Sequence, residues 1–469
     1  MNKTLSHLVA QGTAAFTLFA ATAGCANLKT SPVASPVPAK LPTAWATTAP
    51  AGAVQDRWLA AFGDSQLTNL VAEALTNNPD LAVTAAKLDE SLASARVSAA
   101  DLGPTLTANG SAQNLSRLKR SSAEKNSGVA ANTATLGASL DLSWEVDVWG
   151  RLRYAKRSAA ESAAASAEDY AAGRRSLAAQ VTKAWFAAVE ARLQSKLSDE
   201  FVKSYQDTLK LVEVRYQAGA VTEQDVANAR ADLASSRQSA TAATTTARSA
   251  VRSLEVLLGR YPATELQMAD DLQAVPPEIP AGLPADLLTR RADVIAAQTR
   301  LAAAFDNAQA AEAARLPKIS LTGSLGYSSD ELKNLLDPKN AALTLAGNLT
   351  APLWDGGKLK AQAELAKAQQ REALASYRST ALSAFADVEN YLENESALAT
   401  QETQLREAAS QYETARHLAE TRYTAGSISL TDVLTIQRQE LQAKSSLLTL
   451  RNNRLANRVN LHLALGGDF

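Results

Sequence analysis

The chain repeats itself, and that limits its fold more than any other feature. The run Arg215-Tyr216-Gln217-Ala218-Gly219-Ala220-Val221-Thr222-Glu223-Gln224-Asp225-Val226 returns as Arg422-Tyr423-Thr424-Ala425-Gly426-Ser427-Ile428-Ser429-Leu430-Thr431-Asp432-Val433. Arg, Tyr, Ala, Gly, Asp and Val coincide at an offset of 207 positions, from 215 to 422. The same offset carries Gly150-Arg151-Leu152 onto Gly357-Lys358-Leu359, Tyr170 onto Tyr377, and Leu258-Gly259 onto Leu465-Gly466. Upstream the offset is 213, carrying Asp80-Leu81 onto Asp293-Val294 and Pro104 onto Pro317. The first copy thus holds about six further residues between Pro104 and Gly150, where a loop absorbs them. Two structural copies of one unit follow, residues 61–260 and 284–469, joined by a Pro-rich linker at 261–283 that reads as a belt around the middle.

Each copy opens with a helical stretch, Ser65 to Leu102 and Pro284 to Leu316, stopped by Pro104 or Pro317. The hydrophobic period then falls to two. Leu136, Ala138, Leu140, Leu142, Trp144 and Val146 alternate with Gly137, Ser139, Asp141, Ser143 and Glu145, and comparable alternation marks 317–327 and 343–353. With a weaker run at 104–113, each copy gains a hairpin, its strands at about 104–113 and 136–146 in the first and 317–327 and 343–353 in the second. Strands of about ten residues match a tilted crossing of a bilayer. Trp144, Trp149 and Trp354 stand at their ends, as membrane-interface aromatics do. A strand packed on a soluble core is the competing reading. Four strands cannot close a barrel, and an edge bare to lipid is forbidden, so a membrane role requires several chains to pool their strands.

After each hairpin comes an Ala-rich stretch without proline, Gly150 to Gly219 and Gly357 to Gly426. As a helix it spans roughly 100 Å, which demands packed neighbours along its length. Gly219 and Gly426 are helix stops, and Thr222 and Ser429 are candidate N-caps of shorter return helices. Asp225 and Asp432 follow them in the first turn, where the helix dipole favours an acid.

The leading segment has a different character. Lys3 precedes an apolar run, Leu8 to Ala23, too short and too polar for a membrane span, so residues 1–24 read as an export signal. The run ends Thr22-Ala23-Gly24-Cys25, which resembles the bacterial lipobox although leucine is usual at the position of Thr22. Cys25, the only cysteine, is the expected lipidation site, and residues 25–60 form an extended, lipid-anchored lead-in. Cleavage near Ala21-Thr22-Ala23 without lipidation is the alternative. With one cysteine, no disulfide forms within the chain. His417 and His462 are too far apart in sequence for a histidine-rich metal site. Basic and acidic residues balance at 47 and 48, which offers nothing to a nucleic acid. No phosphate-cradling glycine loop occurs, so no cofactor is expected. Ser122 and Lys125 fit Ser-x-x-Lys, but the rest of that hydrolase set is missing and the pair falls in a polar loop beside Arg117, Lys119 and Arg120; the chain does not read as an enzyme.

Taken together, Asn78-Pro79-Asp80-Leu81, Trp144-Glu145-Val146-Asp147-Val148-Trp149-Gly150-Arg151, Arg290-Arg291-Ala292-Asp293-Val294, Leu316-Pro317, Pro352-Leu353-Trp354-Asp355-Gly356-Gly357 and the two Tyr-x-x-Gly turns resemble the TolC-like outer-membrane efflux proteins. The similarity is to the lipoprotein branch that partners resistance-nodulation-division (RND) pumps, and it covers nearly all of the chain after Cys25. Ala292 stands where that family usually has proline. The resemblance implies a mainly α protein with a membrane β-barrel portion: a homotrimer whose four strands per chain make a twelve-stranded barrel on a helical periplasmic tunnel. It implies a passive export channel, lipid-anchored in the outer membrane, that takes drugs or other small toxic compounds from an inner-membrane RND pump through a periplasmic adaptor protein. It also implies a gate at the helix turns, where Tyr423 and Asp432 match and Thr435 replaces a second acid. Gly219, Thr222, Asp225, Gly426 and Ser429 then belong to the tip turns that an adaptor contacts. An exit duct for secreted proteins and a lipid-anchored periplasmic coiled-coil scaffold are the competing readings.

Overall fold

The computed structural model describes residues 42–48, 50, 52–54, 56–116 and 132–469. A 3-10 turn, Trp58–Phe62, precedes α1 (Ser65–Asn77) and α2 (Pro79–Ala100). Then come β1 (Thr105–Ser116), β2 (Asn132–Val146), α3 (Arg151–Gln217) and α4 (Glu223–Leu257). After an irregular segment and short helical turns at Pro284–Asp286 and Leu287–Arg290, the order recurs as α5 (Ala292–Ala313), β3 (Lys318–Ser329), β4 (Ala341–Thr350), α6 (Lys358–Thr424) and α7 (Leu430–Ala464). The helices α3 and α6 have 67 residues each, α4 and α7 have 35 each, and α2 and α5 have 22 each. None of the described helices is long and apolar enough to cross a membrane.

The opening helices are not continuous, contrary to the sequence expectation. Asn78 is extended (φ −68°, ψ 123°) because the ring of Pro79 disfavours helical backbone in the residue before it. The buried Asn78 side chain accepts from the Leu81 amide at 3.0 Å and donates to the Leu257 carbonyl at 2.9 Å, so one residue caps α2 and ties it to α4. At the matching place Arg291 is extended too (φ −78°, ψ 116°), with no proline after it. Here the guanidinium holds the break: it donates to both Asp293 oxygens (2.9 and 2.7 Å) and to Asp387 (2.9 Å). Gly259 and Gly466 seal these two junctions. Each has positive φ, and a Cβ would lie 2.5 Å from the Asn77 carbonyl oxygen at the first and 2.9 Å from the Arg290 carbonyl at the second.

The described residues divide into two units. One combines Asp89–Ser166 with Ala297–Tyr377 and contains the sheet; the other combines the described segments up to Leu88 with Ala167–Ala296 and Arg378–Phe469. In the second unit, Trp185, Phe186, Leu67, Leu254, Leu455 and Val459 centre a closed core. Trp185 donates its indole N–H to Asp64 at 3.0 Å, and the other oxygen of that carboxylate caps α1 at the Leu67 amide. The Pro-rich segment after α4 lacks a hydrogen-bonded ladder of its own. Its carbonyls are taken instead by arginines of the helices: Arg192 on Met268 and Ala269, Arg451 on Leu272, and Arg458 on Pro277. The buried Glu255 carboxylate accepts from the amides of Thr264, Glu265 and Leu266 at 2.8, 2.8 and 3.2 Å. Burial opposes its charge, but these donors and Arg260 hold the carboxyl below its ordinary pKa.

In the first unit the strands form one antiparallel sheet of order β1-β2-β3-β4. Two hairpins thus lie side by side, with β2 against β3 in the register Leu140↔Leu325. β1 and β4 are edges. β1 and β2 run further than expected, to Ser116 and from Asn132, while β4 stops at Thr350 instead of 353. Its last rung faces Lys318, which follows Pro317, and Pro352 has no amide to donate.

Candidate functional site

Two places in the molecule carry residues that the fold itself leaves unexplained: the sheet and the pair of helix turns.

Register assigns the sheet two chemically distinct faces. One carries Leu106, Leu140, Leu142, Leu325, Leu343, Leu345 and Leu349, all exposed, with Leu345 at 72% and Leu349 at 71%. The other carries Thr107, Asn109, Ser139, Asp141, Ser143, Thr322, Ser324, Thr344 and Asn348. A soluble sheet buries its leucines and wets its hydroxyls. Here no described residue covers these leucines, and both edges carry backbone groups that no described strand pairs. Trp144 donates its indole N–H to the Leu102 carbonyl at 2.9 Å and Trp149 donates to the Pro317 carbonyl at 2.7 Å, which tie the end of β2 and the residues after it to those before β1 and β3. Trp149 is 45% exposed and Trp354 75% exposed. Trp354 lies beyond β4, not at its end, because the strand stops short. Near the start of each long helix an acid from the sequence motifs acts as a cap. Asp147 accepts from the Leu152 and Arg153 amides, and Asp355 from those of Gly357 and Leu359.

At the turns, α3 ends before Gly219 (φ 67°) and α6 before Gly426 (φ 76°), and each return helix begins with a full capping box. Asp225 accepts from the Thr222 amide and hydroxyl at 2.9 and 2.8 Å, and the Thr222 hydroxyl accepts from the Asp225 amide at 3.3 Å. Asp432 accepts from the Ser429 amide and hydroxyl at 3.1 and 2.7 Å, and Ser429 accepts from the Asp432 amide at 3.3 Å. Both acids are therefore occupied as caps. Asp432 is not brought against Tyr423.

What meets Tyr423 is Arg215. Its guanidinium lies over the ring, 4.6 Å from the centroid, and donates to the Tyr423 carbonyl. Tyr423 is buried among Val212, Val226, Leu430, Val433 and Leu434, and no described residue bonds its hydroxyl. Burial pushes the phenol above its ordinary pKa; Arg215 opposes this shift and Asp225 adds to it. Arg215 was visible in the sequence only as part of the repeated Arg-Tyr pair, with nothing to mark it as the residue that crosses between turns. Cys25, Ser122, Lys125 and the basic cluster Arg117, Lys119 and Arg120 lie outside the described residues. Among the described residues, no group of three or more His, Cys, Asp and Glu could hold a metal ion.

The sequence matches the outer membrane efflux protein family over residues 70–260 and again over 283–467. It is 34% identical over 419 residues to the pyoverdine export outer membrane protein OpmQ of Pseudomonas aeruginosa, covering 88% of this chain and 87% of that one. It is 32% identical over 434 residues to the probable efflux pump outer membrane protein TtgC of Pseudomonas putida, covering 92% and 88%. Among solved structures, the CmeC outer membrane channel of Campylobacter jejuni superimposes with a TM-score of 0.85 at 25% identity, covering 89% of each chain.

Proposed function

The chain belongs to the outer membrane efflux protein family, and on that premise we propose that it is the outer-membrane channel subunit of a tripartite export system. Three copies would pool their strands, β4 of one pairing with β1 of the next, into a twelve-stranded barrel continued by the long helices as a conduit across the periplasm. The observation that carries this reading is the sheet: an uncovered leucine face, a polar opposite face and two unpaired edges. In hydrocarbon such edges are tolerated only when closed by further strands. A periplasmic scaffold would leave the leucines facing water.

The proposed cargo is small organic compounds, delivered by an RND pump through an adaptor that grips the turns at Gly219, Thr222, Asp225, Gly426 and Ser429. Tyr423, held by Arg215, is the proposed closure, with Asp432, in the first turn of the return helix, as a separate ring of like charge in the trimer. Cys25 is the proposed lipid attachment. The chain supplies the passage and the pump supplies the energy.

The test is extraction of the full-length protein from outer membranes in mild detergent. A heat-labile trimer, with loss of the gene raising sensitivity to exported toxicants, is the expected result. A water-soluble protein that is not a trimer would sink the proposal.

A further inference from the structure

The polar face of the sheet carries one charge that no described residue neutralises. The four strands contain three charged residues among their described positions: Asp141 and Glu145 on β2 and Lys318 on β3. Glu145 is paired, with Arg151 at 2.8 Å and Lys318 at 3.4 Å. Asp141 lies four residues before Glu145 on β2, roughly 14 Å away. Its rung runs Thr107↔Asp141↔Ser324↔Thr344, so every cross-strand neighbour is a hydroxyl. The carboxylate accepts from the Asn109 amide at 2.6 Å, from the Ser139 hydroxyl at 2.8 Å and from the Ser324 hydroxyl. These donors fix its position without offsetting its charge, and no described cation reaches it.

We propose that Asp141 sets the ion preference of the barrel lumen, three copies forming an anionic ring that admits cations and cationic cargo over anions. This rests on the trimeric-barrel reading above. Twelve strands about 4.8 Å apart and tilted about 40° close a cylinder roughly 24 Å across. Carboxylates projecting inward therefore sit within one screening length of the axis at about 0.1 M salt, where that length is about 10 Å, and well within it at about 0.01 M, where it reaches about 30 Å. The three fields overlap across the lumen and are not spent on local ion pairs. The exposed leucine face requires this orientation, because it can face lipid only if the Asp141 face lines the interior.

The experiment is the reversal potential of the full-length protein in planar bilayers under a KCl gradient near 0.01 M. Wild type, Asp141→Asn and Asp141→Glu are compared, each alone and with Tyr423→Ala to relieve closure at the turns. Wild type and Asp141→Glu should pass K⁺ over Cl⁻. Asp141→Asn should lower that permeability ratio by about twofold or more, and the difference should fade near 1 M salt, where the screening length is about 3 Å. A conducting Asp141→Asn trimer with an unchanged ratio overturns the inference and leaves the channel standing. Wild type that forms no trimer, or a trimer that conducts nothing even with Tyr423→Ala, overturns the channel and the inference with it.

Discussion

The turn between α3 and α4 and the turn between α6 and α7 are built from almost the same residues and share the same local structure. Each has a positive-φ glycine, a hydroxyl N-cap and a reciprocal aspartate. Their tyrosines nevertheless have opposite fates. Tyr216 is 46% exposed, whereas Tyr423 is 3% exposed beneath Arg215, a residue of the other turn. The arginine that corresponds to Arg215, Arg422, is exposed. The opposite ends of the return helices show the same divergence. Glu255 and His462 share the 207 offset and both are buried, but Glu255 is satisfied by three amides, while His462 stacks on Trp58 with ring centroids 5.7 Å apart. Duplication preserved the local geometry in both places and allowed the side-chain contacts to specialise, so that one turn latches and the other is latched onto.

Four sets of substitutions would break or sharpen this contrast. Tyr423→Ala should cost about 3–5 kcal/mol and raise single-channel conductance, while Tyr216→Ala stays within about 0.5 kcal/mol. Equal effects in thermal melts of the detergent-solubilised trimer would erase the distinction between the turns. Arg215→Ala should cost about 2 kcal/mol and also raise conductance, because the carbonyl it caps loses a charged donor; Arg422→Ala should change neither. Burial and, secondarily, Arg458 pull His462 down to a pKa of about 3. As pH falls below about 6.5 the unfolded chain takes up a proton that the folded chain refuses. The stability contributed by neutral His462 is therefore fully present above about pH 6.5 and is lost as pH falls toward 3. His462→Phe, which retains the stack, should flatten that acid slope in melts across the range. The smallest effect is a matched one: Thr222→Ala and Ser429→Ala should each cost about 1 kcal/mol, since the caps are alike. Unequal costs would place part of the divergence in the caps themselves.

The duplication, the long helices and the hairpins were legible in the sequence because each leaves a periodic trace: a constant offset, an unbroken helical run between glycines, a period of two. The helix breaks at Asn78 and Arg291 were not. Pro79 is tolerated at a first helical position, so it marks a possible start as readily as an interior kink, and the break at Arg291 depends on an ion pair with Asp387, almost a hundred positions away. The burial of Tyr423 was equally hidden. Tyr216 has nearly the same neighbours in sequence, and only the packing of one turn against the other separates them. Asp432 read in the sequence as an early-helix acid favoured by the helix dipole, and its hydrogen bonds go further, closing a capping box with Ser429.

The account depends on strands of different chains closing one barrel, and a disulfide between the two edge strands tests that directly. Within one chain β1 and β4 are three strand spacings apart, roughly 14 Å, beyond the limit of about 7 Å between Cα atoms for a disulfide. Thr107→Cys on β1, combined in turn with Thr344→Cys, Ala346→Cys or Asn348→Cys on β4, can therefore form a bond only between chains. Oxidation in intact outer membranes should convert at least one pair into a covalent trimer on a denaturing gel, while each single substitution stays monomeric. Monomer from every pair, with the same protein present in the membrane, would contradict the shared barrel.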